Sequence, residues 1–270
     1  MTKERFFSRP TIVAFALVLV LGSAGWISYQ QKKQLRNEHT TLALLWFQTS
    51  AECRALYYQA FNNARHELDE YLLTHKPAKK PAVIVDIDDT ILDDSPHSVM
   101  LLKENQIFPY RYDEWIEGAK EEPLPGGLEF LKYASSRGVD VYYISNRLAA
   151  QLPATVKNLQ AFGFPQAEES HILLMGKESS KELRRQSVAA DHEVILLMGD
   201  NLNDLSNVFE NKSIAGRAEE VDKVKELFGP KYIVLPNPVY GAWESAAYGN
   251  GSKLSEQEKD VKRKEVLKSF

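Results

Sequence analysis

Two acidic clusters in this 270-residue chain stand where hydrophobic runs end. The first closes the run Val83-Ile84-Val85-Asp86-Ile87-Asp88-Asp89-Thr90. Such a run reads as a buried parallel strand. Asp86 and Asp88 then fall at the edge where open α/β sheets bind their ligands. Neighbouring carboxylates repel unless a cation or a shared proton compensates. The pattern asks for a divalent metal, an acid/base pair, or a nucleophile beside an acid. The second cluster closes Val194-Ile195-Leu196-Leu197-Met198-Gly199-Asp200-Asn201-Leu202-Asn203-Asp204. Gly199 permits a sharp exit from the strand, and one helical turn brings Asp200 and Asp204 to one face. Hard oxygen ligands on loops suit Mg²⁺. A lone Asp-x-Asp is more often a turn or a helix cap; two clusters at two strand ends favour a site.

Two further segments lie between them. The strand expected at 139–144 runs into Ser145-Asn146-Arg147. A hydroxyl, an amide and backbone N–H groups at a strand-to-helix junction can hold a phosphate; an ordinary helix cap uses the same residues. The strand expected at 171–175 is followed by Gly176-Lys177-Glu178-Ser179-Ser180-Lys181-Glu182-Leu183-Arg184-Arg185. A lysine here could neutralise a nucleophilic carboxylate and a phosphoryl oxygen together, the plain alternative being a solvated basic helix face.

These residues need a frame to hold them. Strands expected near 82–87, 139–144, 171–175, 194–199 and 231–235 alternate with helices near 126–137, 152–162, 178–190, 202–210 and 217–228. That alternation predicts an α/β fold with a doubly wound parallel sheet. Ahead of it, residues 40–74 repeat apolar positions at three and four (Leu42, Leu45, Trp46, Cys53, Tyr57, Phe61, Leu68), which predicts one long helix or two packed on the core. Residues 94–124 contain no core strand and hold Phe108, Tyr110, Tyr112 and Trp115; they read as an insertion between the first strand and its return helix. The tail from Gly249 is polar and reads as a mobile or weakly helical surface end. The division expected is an N-terminal segment at 1–29, a helical extension at 30–78, the core at 79–245 and a tail at 246–270.

A formal charge of −4 gives no basic field for a nucleic-acid polymer, so a phosphate ester must be drawn by a local site. The single cysteine, Cys53, excludes an internal disulfide and reads as a small buried hydrophobe. At the N-terminus Lys3, Arg5 and Arg9 precede an apolar run from about Thr11 to Ile27, the pattern of an export signal. Gly22-Ser23-Ala24 is a poor cleavage site and Trp26-Ile27 prolong the run, so an uncleaved membrane anchor is expected ahead of a cleaved signal. The basic start directs the domain outward, to a periplasm, against the weaker pull of Lys32, Lys33 and Arg36.

Asp-x-Asp-x-Thr, then Ser, then Lys, then Gly-Asp-x-x-x-Asp, each after a strand and in this order, resembles the haloacid dehalogenase (HAD) superfamily. Within it the chain looks like the class C bacterial acid phosphatases, a group that includes the lipoprotein 5′-nucleotidases. Residues 84–92 and 195–204 resemble their two aspartate motifs. Segments 46–52 and 57–62, Glu122-Pro123-Leu124-Pro125-Gly126, and Leu235-Pro236-Asn237 followed by Tyr240-Gly241-x-Trp243-Glu244 extend the likeness over residues 40–245. Asp94, His97 and Leu205 stand where the family usually has Asn or Thr, Tyr, and Phe; these departures bear on the substrate pocket. No lipid-acceptor cysteine follows the signal segment.

The resemblance implies a HAD-like core with a small cap insertion at 94–124 and an N-terminal helical extension. It implies a Mg²⁺-dependent acid phosphatase that hydrolyses phosphomonoesters, nucleoside 5′-monophosphates among them. Asp86 would attack phosphorus and become an aspartyl-phosphate. Asp88 would protonate the leaving oxygen and then activate water. Mg²⁺ would be held by an Asp86 oxygen, the Asp88 carbonyl and Asp200, with Asp204 beside it orienting water or lysine. Ser145 and Asn146 would hold phosphoryl oxygens. Lys181, in a Ser-x-Lys pattern with basic residues three and four positions on, is chosen over Lys177, which lies nearer the strand end. A carboxylate approaches a phosphate dianion only if metal and lysine offset the charge. Trp115, then Tyr240, are the candidate platforms for a nucleobase. The partners implied are a small phosphomonoester and, through a retained N-terminal segment, the membrane; self-association is left open. The rival readings are a HAD phosphatase for another phosphomonoester, and a membrane-tethered haem-binding protein with His97 as a lone ligand. No His–Met or Cys-x-x-Cys-His arrangement supports the latter.

Overall fold

The computed structural model describes residues 37–251 and 253–270. Five strands form one sheet: β1 (Lys80–Val85), β2 (Asp140–Leu148), β3 (Ile172–Met175), β4 (His192–Gly199) and β5 (Tyr232–Val234). All neighbours are parallel, and the order is β3-β2-β1-β4-β5. The chain winds outward from β1 to β3, then crosses back to place β4 on the other side of β1. The winding therefore reverses between β1 and β4, and a crevice opens at their carboxyl ends.

Period-two alternation along β1 sends its side chains to both faces. Val83 and Val85 join the larger core, with Tyr57, Phe61, Phe130 and Leu159. Ala82 and Ile84 join a smaller one with Ile144, Val188 and Leu197. Both faces are covered, which is why the run is continuously apolar.

The N-terminal periodicity resolves into two helices, Thr41–Thr49 and Ala51–Thr74, broken at Ser50. Ser50 is extended (φ −79°, ψ 134°), and its hydroxyl accepts the Cys53 N–H at 3.0 Å, an N-cap that starts the second helix. Cys53 is buried, as expected. Phe61 packs against Gly127, where a Cβ would lie 3.2 Å from its ring and 3.1 Å from Ile91. Two glycines in sequence thus let the long helix approach the helix Gly127–Ser136.

Residues 94–124 carry the helices Ser95–Glu104 and Tyr112–Gly118. The chain leaves the core and returns to it side by side: Asp93 N–H donates to the Glu122 carbonyl and Leu124 N–H to the Ile91 carbonyl, both at 2.9 Å.

Three local readings differ. β2 does not end at Ile144 but continues through Ser145-Asn146-Arg147 to Leu148, which pairs with Met175. The expected helix at 202–210 is a single turn, Leu202–Leu205, followed by a separate 3₁₀ turn, Asn207–Phe209. Ser206 is extended between them and caps the second turn. The tail holds a regular helix, Glu256–Glu265, opened by a Ser255–Glu258 capping box. The anchor expected at 1–29 lies outside the described residues; among those described, no helix is long and apolar enough to cross a membrane.

Candidate active site

Beyond β1 the chain makes one tight turn. Asp86 N–H still donates across the sheet to the Met198 carbonyl at 2.9 Å. The Ile87 carbonyl then accepts the N–H groups of Ile91 and Leu92, each at 3.0 Å. Asp89 lies in the left-handed region (φ 51°), which aspartate tolerates better than most residues. Its carboxylate accepts the Asp94 N–H at 3.0 Å, so it builds the turn rather than the site. Asp86 and Asp88 are left lining a cavity of about 720 Å³ with Asp200, Asp204, Lys181 and Asn146.

Carboxylate oxygens of Asp86, Asp200 and Asp204 lie within 4.8 Å of one another. The Lys181 ammonium pairs with Asp86 and stands 2.7 Å from Asp204 Oδ1. The other Asp204 oxygen accepts the Asn201 N–H at 3.0 Å. Gly199 is required here, since a Cβ at that position would lie 2.5 Å from Asp204 Cβ. Asp200 is fixed from two sides. Thr90 Oγ1 donates to its Oδ1 and accepts its backbone N–H, both at 3.1 Å, and Asn237 Nδ2 donates to its Oδ2 at 2.8 Å.

Asp88 has separate partners. Arg147 Nε and Nη2 donate to its Oδ1 at 2.9 and 2.8 Å, and Ser145 Oγ donates to its Oδ2 at 2.9 Å. Because β2 continues through this segment, Ser145 and Arg147 share the buried side while Asn146 is exposed. This corrects the expectation for Ser145: it is wholly buried, and its hydroxyl serves Asp88 instead of the cavity. Asn146 does line the cavity; its Oδ1 accepts from Arg184 Nη2 at 2.6 Å, which leaves its NH₂ as the donor for an oxyanion. Neither residue stands at a helix N-terminus, since the next α-helix begins at Leu152.

The two lysines differ in their surroundings. Lys177 is exposed, whereas Lys181 is buried at the N-cap of the helix Glu182–Asp191. The basic residues three and four positions on brace it. Arg184 donates to the Ser145 carbonyl at 2.7 Å and to the Ser179 and Ser180 carbonyls at 3.2 and 3.3 Å. Arg185 donates to the Asn203 and Asp204 carbonyls at 3.0 and 2.9 Å. The lysine loop is thereby tied to the ends of both β2 and β4.

Trp115 does not line the cavity. Its indole N–H donates to Asp94 Oδ1 at 2.7 Å, so it supports the wall from behind. The aromatic residues of 94–124 that do line it are Phe108 and Tyr112, whose ring centroids lie 5.0 Å apart, and Tyr240 lines it as well. His97 also lines it, but its Nε2 lies 2.9 Å from the Tyr110 carbonyl, an acceptor, so that nitrogen carries the proton. Burial holds His97 below its ordinary pKa, against the opposing pull of its hydrogen bond to the Tyr110 carbonyl. Lys259 and Arg263 of the C-terminal helix complete the outer wall, which no local sequence pattern foretold.

Burial, opposed by Lys181 and reinforced by Asp204, Asp200 and Asp88, pushes Asp86 well above the usual carboxylate range. Burial with Asp204 and Asp89 pushes Asp200 up to about 7. Burial works upward on Asp88 too, but the Arg147 guanidinium and the Ser145 hydroxyl hold it below its ordinary value. Three carboxylates set against one ammonium, when ionised, leave two uncompensated negative charges among Asp86, Asp200, Asp204 and Lys181. That deficit and the all-oxygen donor set fit a hard divalent cation. Thr90, Arg147 and Asn237 lie within the sequence motifs without a role assigned to them, Arg184 and Arg185 enter there only as the basic residues that mark Lys181, and no motif singles out Glu121.

The model of the HAD superfamily, subfamily IIIB (acid phosphatase), matches residues 25–243. The chain is similar to the solved structure of the class C acid phosphatase from Bacillus anthracis, at 46% sequence identity and a TM-score of 0.84, over 87% of this chain and 99% of that one. It is equally similar to the crystal structure of the Bacillus anthracis class C acid phosphatase with tungstate bound, at 46% identity and a TM-score of 0.84, over 88% of this chain and 99% of that one.

Proposed function

The chain belongs to the subfamily IIIB acid phosphatases of the HAD superfamily and is a phosphomonoesterase, and we propose that it uses Mg²⁺ and an aspartyl-phosphate on Asp86 to hydrolyse nucleoside 5′-monophosphates. The observation that carries the reading is the Lys181 ammonium shared by Asp86 and Asp204 at the switch point of the sheet. An Asp86 carboxylate so neutralised can approach a phosphate that would otherwise repel it. Tungstate, which the Bacillus anthracis relative binds, is a tetrahedral oxyanion like phosphate, and the same donors would receive a phosphoryl group here.

Asp86, Asp200 and the Asp88 carbonyl would hold Mg²⁺, which when bound supplies charge neutralisation at a phosphoryl oxygen. Asp86 forms the bond to phosphorus as the ester oxygen leaves. The leaving oxygen takes its proton from Asp88, which then accepts one from the water that hydrolyses the aspartyl-phosphate. Lys181 and the Asn146 NH₂ hold the phosphoryl oxygens. Phe108, Tyr112 and Tyr240 offer aromatic surface to a planar leaving group. With the N-terminal run retained as an anchor, the enzyme would work on the periplasmic side of a membrane.

Rapid quenching with AMP carrying ³²P in its 5′-phosphate should leave label on the wild-type protein and none on Asp86→Asn, with wild-type turnover abolished by EDTA. A variant that turned over normally without Asp86 would end the mechanism. Faster hydrolysis of a sugar phosphate than of AMP would remove the nucleotide assignment alone.

A further inference from the structure

We propose that Arg184 is a positioning residue for Asn146, holding the amide oxygen so that the NH₂ group is the end offered to a phosphoryl oxygen. The inference rests on the reading of Asn146 as a phosphoryl-oxygen donor. The two residues meet at a break in the sheet. Ile144 pairs with Leu173 and Leu148 with Met175, so three residues of β2 stand against one of β3. Such a bulge re-aims side chains. Here Ser145 and Arg147 stay buried while Asn146 reaches the cavity. Arg184 spans the break. Its Nη1 donates to the Ser145 carbonyl of β2 at 2.7 Å and to the Leu173 carbonyl of β3 at 3.4 Å. Its Nη2 donates to Asn146 Oδ1 at 2.6 Å, the shortest of its bonds.

A primary amide accepts at one end and donates at the other, and the ends are similar in size. Turned the wrong way, Asn146 would set its oxygen against a phosphoryl oxygen and repel it. A guanidinium carries only N–H donors and no acceptor. The amide oxygen is therefore the end that faces Arg184, and the NH₂ is left for the cavity. The guanidinium charge also polarises the amide and strengthens its N–H groups as donors. Arg184 is itself held in place. Nη2 also donates to the Ser179 and Ser180 carbonyls at 3.2 and 3.3 Å, so its acceptors are neutral oxygens from β2, β3 and the lysine loop. The helix Glu182–Asp191 has Lys181 as its N-cap, so one element carries the ammonium to Asp86 and the guanidinium to Asn146. Asn146 touches the phosphoryl oxygen; Arg184 acts through it.

The probe is inorganic phosphate, read as its Ki against hydrolysis of one monoester by the full chain with Mg²⁺. Asn146→Ala should weaken phosphate binding about tenfold, the loss of a hydrogen bond to a charged group. Arg184→Met should weaken it by a similar factor. Arg184 also braces the loop of Lys181, so the double variant is needed to assign its effect. In an Asn146→Ala background, Arg184→Met should weaken binding by less than about twofold more. The same factor in both backgrounds would overturn the proposal, since Arg184 would then act through the lysine loop. Arg184→Lys repeats the cycle, on the same criterion, if the Met variant fails to fold; an ammonium lacks the fork that holds the Ser145 carbonyl and Asn146 together. Asn146→Asp should bind phosphate more weakly than Asn146→Ala, because its carboxylate pairs with Arg184 and turns an oxygen to the ligand. Binding no weaker than that of Asn146→Ala would count against the proposal. An unchanged Ki in Asn146→Ala removes Asn146 as a donor and the proposal with it, while label on Asp86 would still report the nucleophile separately.

Discussion

Lys181 and Asp204 meet at 2.7 Å, Nζ to Oδ1, and the same ammonium reaches Asp86. One buried cation therefore joins the loop after β1 to the turn after β4. Lys181→Met should lower kcat by about 10²- to 10³-fold, as loss of a preorganised electrostatic group does. Lys177→Met, at an exposed position, should stay within about twofold of wild type. Steady-state kinetics on a single monoester decides between them, and the opposite pattern would reverse the assignment.

Gly199→Ala tests how tightly Asp204 is held. The new methyl would stand 2.5 Å from Asp204 Cβ and Oδ2. The carboxylate must then move away from Lys181 and the Asn201 N–H. Overpacking of this kind costs about 1–3 kcal/mol, so the melting temperature and kcat should fall together. Unchanged activity would mean that Asp204 has room that the backbone denies it here.

The pH dependence of the metal-free protein follows from Asp200. Its carboxyl is pushed up to about 7 in the fold, from an ordinary 3.8. The folded state therefore keeps a proton that the unfolded chain has lost, and stability falls as pH rises through that window. At about 1.36 kcal/mol per unit, the contribution is at most about 4 kcal/mol. In EDTA, Asp200→Asn should flatten the decline in melting temperature between pH 5 and 7.5. Mg²⁺ should stabilise the wild type more at pH 7.5 than at pH 5, because binding needs the ionised carboxylate. A wild type whose stability in EDTA rises across this range, with no difference from Asp200→Asn, would contradict the shift.

Trp115→Phe separates support from substrate contact. The substitution keeps most of the ring but removes the N–H that Asp94 accepts at 2.7 Å. A lost hydrogen bond to a buried carboxyl costs about 1–3 kcal/mol. The melting temperature should drop while KM for AMP stays within about threefold; Tyr112→Ala, at the cavity wall, should raise KM more. A larger KM effect from Trp115 would restore it as a base-stacking residue.

The four aspartates, the lysine and the five strands were legible in the chain itself. A strand buried on both faces must be apolar along its length, and the acidic clusters follow directly where such runs stop. Asp86 and Asp88 are two residues apart, and Asp200 and Asp204 four, so local geometry already brings each pair together. Tertiary structure decided the partners. Whether Ser145 serves a phosphate or Asp88 depends on β2 continuing four residues past Ile144, a matter of pairing with β3 that no local pattern records. Glu121 becomes a partner of Arg147 only because the cap returns beside Asp93. Trp115 turns to Asp94 instead of the cavity, and a polar tail becomes a helix that walls it. Periodicity reports which side of an element is buried. What a buried polar group touches is set by the close approach of distant segments, and only the folded chain brings them within hydrogen-bonding range.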